Sequence, residues 1–294
     1  MVIPLKKLRP QTLWAAPSGP GWGPLPELLL TLTLVTGLVD AVSILALGRV
    51  FVANMTGNVV FAGFAIVGAP GFSLGASLFA LAGFLIGAAV GGVMTNRVGH
   101  DRALHIRAAT GAEFGLLAIA LIVAGVSGGA AATTGTLDIS AGTADFAAGV
   151  TDVLALVLAT AMGIQNSMAR KLAVPDLTTT VLTMTLTGIG ADPSTGHRGH
   201  VTLTRRLLTV ATMLAGGVLG AWLVLDAGVV APLAVATGLV AVAVACAVLA
   251  ARAPAVWRPV VPAPPAPAAP APAAPVPAPP DSAAGQAPPN EKQA

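Results

Sequence analysis

The sequence predicts an all-α, polytopic membrane protein with about six full helical spans, two re-entrant or broken helices and an inverted repeat. Apolar residues make up 55% of the 294 residues, charged residues only 9%, and the mean hydropathy is +0.84. Soluble domains carry about 25% charged residues, so this composition indicates a chain that lies in lipid. The long continuous apolar runs exclude a transmembrane β-barrel, whose short strands alternate in polarity.

Eight apolar runs are candidates for membrane segments, each full crossing requiring about 20 residues. They cover approximately residues 28–48, 52–69, 73–95, 108–127, 148–169, 177–190, 207–226 and 229–251. The second run opens with a cluster of Asn, Thr and Gly, and the sixth is short and rich in Thr. These two runs are therefore predicted to enter the membrane and return.

The placement of Lys and Arg favours this topology, because basic residues accumulate on the cytoplasmic side of membrane proteins. With two re-entrant runs, fourteen of the 15 Lys and Arg residues lie in the cytoplasm and only Arg49 lies outside. If all eight runs spanned, six basic residues would fall outside. The sequence thus predicts a multi-pass protein of the cell inner (plasma) membrane with both termini in the cytoplasm.

Three regions are predicted along the chain. They are an N-terminal cytoplasmic segment (1–26), a helical membrane domain (27–252) made of two related halves (about 27–127 and 148–251), and a disordered Pro/Ala-rich tail (253–294). Fourteen of the 24 prolines lie between Pro254 and Pro289, in a tract without periodicity. Such a composition is typical of a disordered or polyproline-like segment.

The two halves share a weak repeat. The segment "GLVDAVSILALGRVFVANMTGN" aligns with "GIQNSMARKLAVPDLTTTVLTMT", so that Gly37 falls on Gly163 and Asp40 on Asn166. One extra residue in the second copy then brings Thr56 onto Thr183. With three full spans in each half, the second copy is inverted relative to the first, a plan common among secondary transporters.

At these residues the chain resembles the YoaK-like family of bacterial membrane proteins, a group of unknown function. The resemblance rests on residues 37–60 and 163–187 and extends over roughly residues 28–250. Members typically carry a small residue where Ser167 stands and often Gly where Met184 stands, so an open backbone at the second position is not implied here. The resemblance implies an integral membrane protein of about six helices and supplies no substrate or reaction.

Asp40 lies about twelve residues into the first run, near the middle of the bilayer. An ionised carboxylate at that depth costs about 2.5–3.5 kcal/mol on insertion scales. One interpretation is a proton or cation site. The alternative is a neutral Asp40 that is hydrogen-bonded to a neighbouring backbone carbonyl as a packing residue.

The stretch "FVANMTGNVV" at residues 51–60 places Asn54, Thr56 and Asn58 close together at membrane depth. Gly and Asn favour non-helical backbone, which persists there only where protein buries it or where it lines a wet cavity. The second copy repeats this chemistry, which favours a binding site over an interhelical clamp. The predicted substrate-binding residues are Asp40, Asn54, Thr56, Asn58, Gln165, Asn166, Thr179 and Thr183, with Glu113 as a further candidate.

No enzyme, cofactor or metal site is predicted. The chain has no nucleotide-cradling loop and no HExxH motif. An intramembrane aspartyl hydrolase would need a second deep carboxylate, but Asn166 occupies the place that corresponds to Asp40. The formal net charge of +3 does not predict nucleic-acid binding, because basic residues in a membrane protein set its orientation.

The sequence therefore predicts a transporter or channel for a small solute, with proton or cation coupling through Asp40. The alternative is a non-transporting scaffold or sensor whose tail recruits a partner. A transporter requires Asp40, Asn58 and Gln165 and tolerates loss of residues 254–294, whereas a scaffold shows the reverse. The expected partners are the lipid bilayer and a small solute or cation, and a homo-oligomer stays open.

Overall fold

The computed structural model describes residues 21–99, 101–127, 146, 149–177, 182–191, 196–252 and 257, with the side chains of residues 196–198 excepted. The described residues form eight α-helices. These are α1 (Leu25–Ala46), α2 (Met55–Ile66), α3 (Leu74–Val98), α4 (Arg102–Val126), α5 (Val150–Leu172), α6 (Leu182–Ala191), α7 (Gly196–Ala227) and α8 (Val230–Arg252). The tail apart from Trp257, and the N-terminal segment up to residue 20, lie outside the described residues.

Six of these helices, all except α2 and α6, are long and apolar enough to cross a membrane. The two short helices coincide with the runs at 52–69 and 177–190, which the sequence singled out as unlike the others, although α6 ends one residue later at Ala191. The predicted polytopic, all-helical architecture is confirmed. Many large apolar side chains point outward, including Val59, Leu85, Ile122 and Trp222, as expected for helices that face lipid.

The chain reverses direction after α1 and re-enters the helical layer. Gly48 (φ 84°) and Arg49 (φ 56°) both adopt left-handed backbone conformations, which turn the chain back along α1. The backbone N–H groups of residues 52 and 53 then reach the side chain of Asp40, well before the end of that helix. A Cβ placed on Gly48 would lie 3.7 Å from the Cβ of Ser73, so α3 starts at the end where α1 stops.

Aromatic rings hold this re-entrant hairpin, residues 47–73, together. Phe51 stacks on Phe61 with ring centroids 5.7 Å apart, and Phe61 lies 5.1 Å from Phe72. Phe72 also meets Phe64 edge-on at 5.2 Å, and the Arg49 guanidinium lies 5.9 Å from its ring centroid. The cluster fastens the turn before α2 and the turn after it to the same face of α2.

Close glycine contacts set the crossing of α1 with α7. A Cβ on Gly37 would overlap the backbone of Met213 and Gly217, and one on Gly216 would overlap the carbonyl of Leu34. One turn further along both helices, Gly220 abuts Leu38. Residue numbers rise together along the two helices, so α1 and α7 run parallel.

The crossing of α5 with α3 repeats this geometry residue by residue. Gly163 abuts the backbone of Phe84 and Gly87, and a Cβ on Gly87 would overlap the carbonyl of Thr160. Gly91, one turn on, abuts Ile164. Gly163 in α5 thus occupies the place that Gly37 occupies in α1, with the same offsets to its partners, and these helices are also parallel.

The neighbour relations of the helices have the same symmetry. Four packed pairs each have a counterpart: α1/α7 corresponds to α3/α5, α1/α8 to α4/α5, α2/α3 to α6/α7, and α3/α4 to α7/α8. The packed pairs α4/α8 and α1/α5 are their own counterparts. Exchanging the first four helices, in order, with the last four therefore leaves this set of packed pairs unchanged. Four helices, α1, α8, α4 and α5, close a central ring in which each packs on the next.

The glycine crossings predict that substitution by Ala changes the stability differently at two glycines of the same helix. Gly87→Ala is expected to lower the apparent Tm in detergent, because overpacking at a backbone contact costs about 1–3 kcal/mol. Gly92→Ala on the same helix is the matched control, since a Cβ there meets no atom within 4 Å. The control should keep or raise the Tm, because Ala favours a helix over Gly by about 1 kcal/mol. Equal effects of the two variants would contradict this packing.

Candidate functional site

Asp40 holds the tip of the re-entrant hairpin. Its side chain is buried on α1, with 5% of its surface exposed. Oδ1 accepts hydrogen bonds from the backbone N–H groups of Val52 and Ala53, both at 3.2 Å, and Oδ2 accepts one from Asn54 Nδ2 at 2.7 Å. The sequence-based alternative paired Asp40 with a backbone carbonyl. The structure instead gives it three N–H donors, so both oxygens act as acceptors.

Asn58 forms hydrogen bonds with the backbone at the start of the same turn. It is fully buried on α2, and its Oδ1 accepts the backbone N–H of Phe51 at 2.8 Å. Its Nδ2 donates to the backbone carbonyl of Phe51. Asp40 and Asn58 thus supply partners to the backbone of three consecutive residues, which have no helical partners. Unwound backbone at membrane depth requires such internal partners.

Gln165 marks a second polar layer, one helical turn away from Asp40. Its Nε2 donates to Thr36 Oγ1 at 2.8 Å, which joins α5 to α1 in the central ring. Thr36 lies four residues before Asp40, about 6 Å along the helix axis. Thr36 Oγ1 itself donates to the carbonyl of Leu32 at 2.9 Å. Within the described part of the chain, the buried Gln165 Oε1 has no hydrogen-bond partner.

The other predicted site residues lie elsewhere. Asn166 is half-buried, and its Nδ2 donates to the Met162 carbonyl of its own helix at 2.8 Å. Thr56 on α2 and Thr183 on α6 are exposed. Thr179 lies outside the described residues. The structure therefore brings together Asp40, Asn54 and Asn58 around one turn, and Gln165 with Thr36 beside it.

The second chain reversal, after α5, is held by α7. Ala173 (φ 48°) and Asp176 (φ 62°) adopt left-handed conformations there. Asp176 Oδ1 forms an ion pair with Arg206 Nε at 3.0 Å, and Thr209 Oγ1 donates to the Asp176 carbonyl at 3.1 Å. The first reversal is thus tied to the helix that precedes it, and the second to a helix that follows it.

Glu113 is the most isolated buried carboxylate among the described residues. It is completely buried on α4, and neither oxygen has a hydrogen-bond partner in the part of the chain that the structure describes. It lies on the buried stripe of α4 together with Ala109, Leu117 and Ala120. The sequence placed Glu113 only about one turn inside its apolar run, near a membrane interface, where a solvated carboxylate was the alternative to a site residue.

A match to the GxSxG pattern of hydrolases occurs at residues 71–75, "GFSLG". In those enzymes the serine stands on a sharp turn between a strand and a helix. Here Ser73 is the N-cap residue of α3, and its Oγ accepts a hydrogen bond from the backbone N–H of Ala76 at 3.2 Å. The helix start accounts for this serine.

Comparisons with known proteins agree with this architecture. The family model described as "Protein of unknown function (DUF1275)" matches residues 28–246. The chain is similar to the UPF0700 transmembrane protein YoaK of Bacillus subtilis (strain 168), with 33% identity over 167 residues. The matched region covers 57% of this chain and 66% of that relative, slightly less than two thirds of its length. No solved structure matches this chain significantly.

The hairpin contacts predict that Asp40 stabilises the turn itself. Asp40→Ala leaves the N–H groups of residues 52 and 53 buried without a partner, which costs about 1–3 kcal/mol for each group. The apparent Tm should fall, and amide hydrogen exchange at residues 51–54 should accelerate. Thr56→Ala, an exposed polar residue on the same hairpin, is the control and should change neither quantity. Unchanged exchange in Asp40→Ala would contradict the proposed role of the carboxylate.

Proposed function

The chain belongs to the protein family of unknown function DUF1275, and from its own geometry we propose that this multi-pass membrane protein transports a small polar solute. Two tightly packed helix pairs, α1 with α7 and α3 with α5, would move against each other and expose a central layer to either side of the membrane in turn. The solute would carry hydrogen-bond donors and acceptors. The name of the family assigns no activity, so the proposal rests on the contacts of this chain.

The observation that carries the proposal is the exchange symmetry of the two halves. Helices α1 and α5 make equivalent glycine crossings with α7 and α3, and each crossing joins one half to the other. Discontinuous helices in inverted repeats, with a site where the repeats meet, are a common plan of secondary transporters. Two chain reversals at equivalent places, after α1 and after α5, support the same plan.

The central ring is the part of the fold best suited to hold a solute. Thr36 and Gln165 meet there, and Gln165 Oε1, which has no partner among the described residues, would accept a hydrogen bond from a hydroxyl, amide or amine. Asp40, Asn54 and Asn58 use their polar atoms on one another and on the hairpin backbone. We therefore assign these three to the support of the hairpin, and the solute to the layer of Thr36 and Gln165.

The pairing of the helices suggests how the layer would open. The close glycine contacts make α1 with α7, and α3 with α5, two tightly packed pairs. The hydrogen bond between Thr36 and Gln165 connects one pair to the other. Rocking of the two pairs would break or remake this bond, and a solute that replaces it would favour the state that it fits.

A cluster at the start of α4 supports the proposal that both termini lie on one side of the membrane. The Arg102 guanidinium lies 4.5 Å from the Trp22 ring centroid, and Arg102 Nη1 donates to the Trp257 carbonyl at 3.2 Å. The segments before α1 and after α8 therefore meet at one end of the bundle. The basic residues favour the cytoplasm for that end, in the cell inner membrane.

The same cluster favours the second candidate function, a non-transporting scaffold. Trp257 is anchored on α4, and residues 258–294 continue from that fixed point with a composition rich in Pro and Ala. Such segments serve as ligands for partner proteins in other systems. A scaffold would depend on this tail and would not need the polar layer of the central ring.

Solute uptake distinguishes the two functions. A solute that raises the apparent Tm of the purified wild type should accumulate in proteoliposomes. Gln165→Leu should reduce uptake at least about tenfold, because one lost hydrogen bond of about 1.4 kcal/mol changes an equilibrium by that factor. Thr183→Ala, which changes an exposed residue, and a chain that ends at Trp257 should both keep wild-type uptake.

One result would contradict the proposed solute site, and another would contradict transport itself. Full uptake by the Gln165→Leu protein would place the solute elsewhere. Lack of uptake of every solute tested, together with loss of partner recruitment when residues 258–294 are removed, would favour the scaffold.

A further inference from the structure

The carboxyl group of Glu113 is the strongest unexplained feature of the helical bundle. It is fully buried, and neither oxygen has a hydrogen-bond partner within the described residues. The nearest buried hydroxyl group on its own stripe, that of Thr110, donates to the Ile106 carbonyl at 2.7 Å. Packing alone would be served better by Leu or Ala, which occupy the buried positions 109, 117, 120 and 124 of this stripe.

Glu113 lies at the depth of the polar layer that contains Thr36 and Gln165. Arg102 packs on Trp22, so the first turns of α4 and α1 lie at the same end of the bundle. Glu113 follows Arg102 by 11 residues (113 − 102), and Thr36 follows Leu25 by 11 residues (36 − 25). Both therefore lie about 16 Å from that end. Because α4 packs on α5 and α8, Glu113 belongs to the central ring.

No cation from the neighbouring helices compensates a charge on Glu113. The titratable side chains on the packed helices are Asp152, Arg170 and Lys171 of α5, Cys246 and Arg252 of α8, Arg97 of α3, and Arg102, His105 and Arg107 of α4 itself. The Arg and Lys side chains among them are exposed except that of Arg102, which is buried about 16 Å from Glu113 along the helix axis and donates to the Trp257 carbonyl. His105 is buried two turns away, about 12 Å along the axis, and its Nε2 is 2.9 Å from the Thr95 carbonyl oxygen.

An ionised carboxylate without partners is very costly to bury, so Glu113 carries its proton in this closed arrangement. We propose that Glu113 is the proton-carrying residue of this protein, which binds a proton in the closed central ring and exchanges it with water when the ring opens. The inference rests on the proposed transport function and names its coupling ion. Buried intramembrane carboxylates that lie in a bundle interior are suited to proton relays.

The same geometry gives Asp40 a different role from the one that the sequence predicted. Asp40 receives three N–H donors and supports the hairpin, whereas Glu113 receives none from the residues that the structure describes. A group that must gain and lose a proton is better suited by an environment without fixed N–H donors, because such donors hold the ionised form. Asp40 therefore supports the hairpin, and Glu113 exchanges the proton.

Labelling with dicyclohexylcarbodiimide tests this inference on the full chain in liposomes. A protonated carboxyl adds across a C=N bond of this apolar reagent, its proton going to nitrogen and its oxygen to the central carbon. An acyl shift then leaves a stable N-acylurea, which mass spectrometry assigns to a residue. We expect an adduct on Glu113 and none on Asp40. The yield should fall about tenfold for each pH unit above the titration midpoint of Glu113.

Infrared spectroscopy supplies a second readout that does not depend on entry of the reagent. The wild type should show the C=O stretching band of a protonated carboxyl group, and alkaline buffer should abolish it. Glu113→Gln should remove the band, and Asp40→Asn should leave it. Gln has nearly the shape of protonated Glu, so the Glu113→Gln protein should fold. The labelling experiment on the wild type does not depend on this variant.

Two outcomes would overturn the inference. One is a Glu113 band that persists at every pH together with no adduct, which would make Glu113 a static packing residue. The other is the absence of any protonated-carboxyl band that Glu113→Gln removes. Neither readout needs a solute. If Glu113 is labelled and titrates but no solute is taken up, only the transport proposal is overturned. If uptake is the same in Glu113→Gln as in the wild type and does not depend on a proton gradient, only the proton coupling is overturned.

Discussion

The hydrocarbon core of a membrane supplies no hydrogen-bond partners, so any backbone that leaves a helix there must find partners within the protein. The chain meets this constraint after α1, where residues 51–53 run unwound beside the helix. Asp40 and Asn58 accept or donate the hydrogen bonds that a further helical turn would otherwise have made. Without these two side chains α2 could not begin at this depth, and α3 could not start beside the end of α1.

Close backbone contact is the second principle of the fold. In lipid, apolar side chains gain little by leaving the solvent, so helix association depends on van der Waals packing through small residues. Gly37 with Gly216, and Gly163 with Gly87, bring the backbones of two helix pairs into direct contact. Few polar bonds connect the described helices, and the one between Thr36 and Gln165 joins two buried side chains.

The sequence predicted the architecture well because its signals are long and local. The polar composition of two runs and the placement of Lys and Arg separated six spans from two short helices, and the YoaK-like resemblance is confirmed by the family match over residues 28–246. The sequence grouped Asp40 with Asn54 and Asn58 in one candidate site, and the structure places all three around one turn. The role of Asp40 did not follow, since the sequence does not show which backbone atoms turn towards a carboxylate.

The sequence could not show which faces of the short helices and of α4 are buried, and the reason is physical. Helices that are apolar on all sides carry no periodic signal that distinguishes a lipid-facing from a buried surface. Thr56 and Thr183 therefore looked like site residues although both are exposed. Glu113 looked marginal although it is completely buried. The helices that pack on α4 and bury Glu113 are α5 and α8, which lie far from it in the sequence.

The parallel crossings also have a consequence for how such a protein is made. Each half places its first helix against the third helix of the other half, so neither half contains the partner that completes its own packing. During synthesis, α1 therefore lacks its packing partner in the membrane until α7 has been inserted. A half-length chain would satisfy its exposed glycine surfaces only by pairing with a second copy in the opposite orientation.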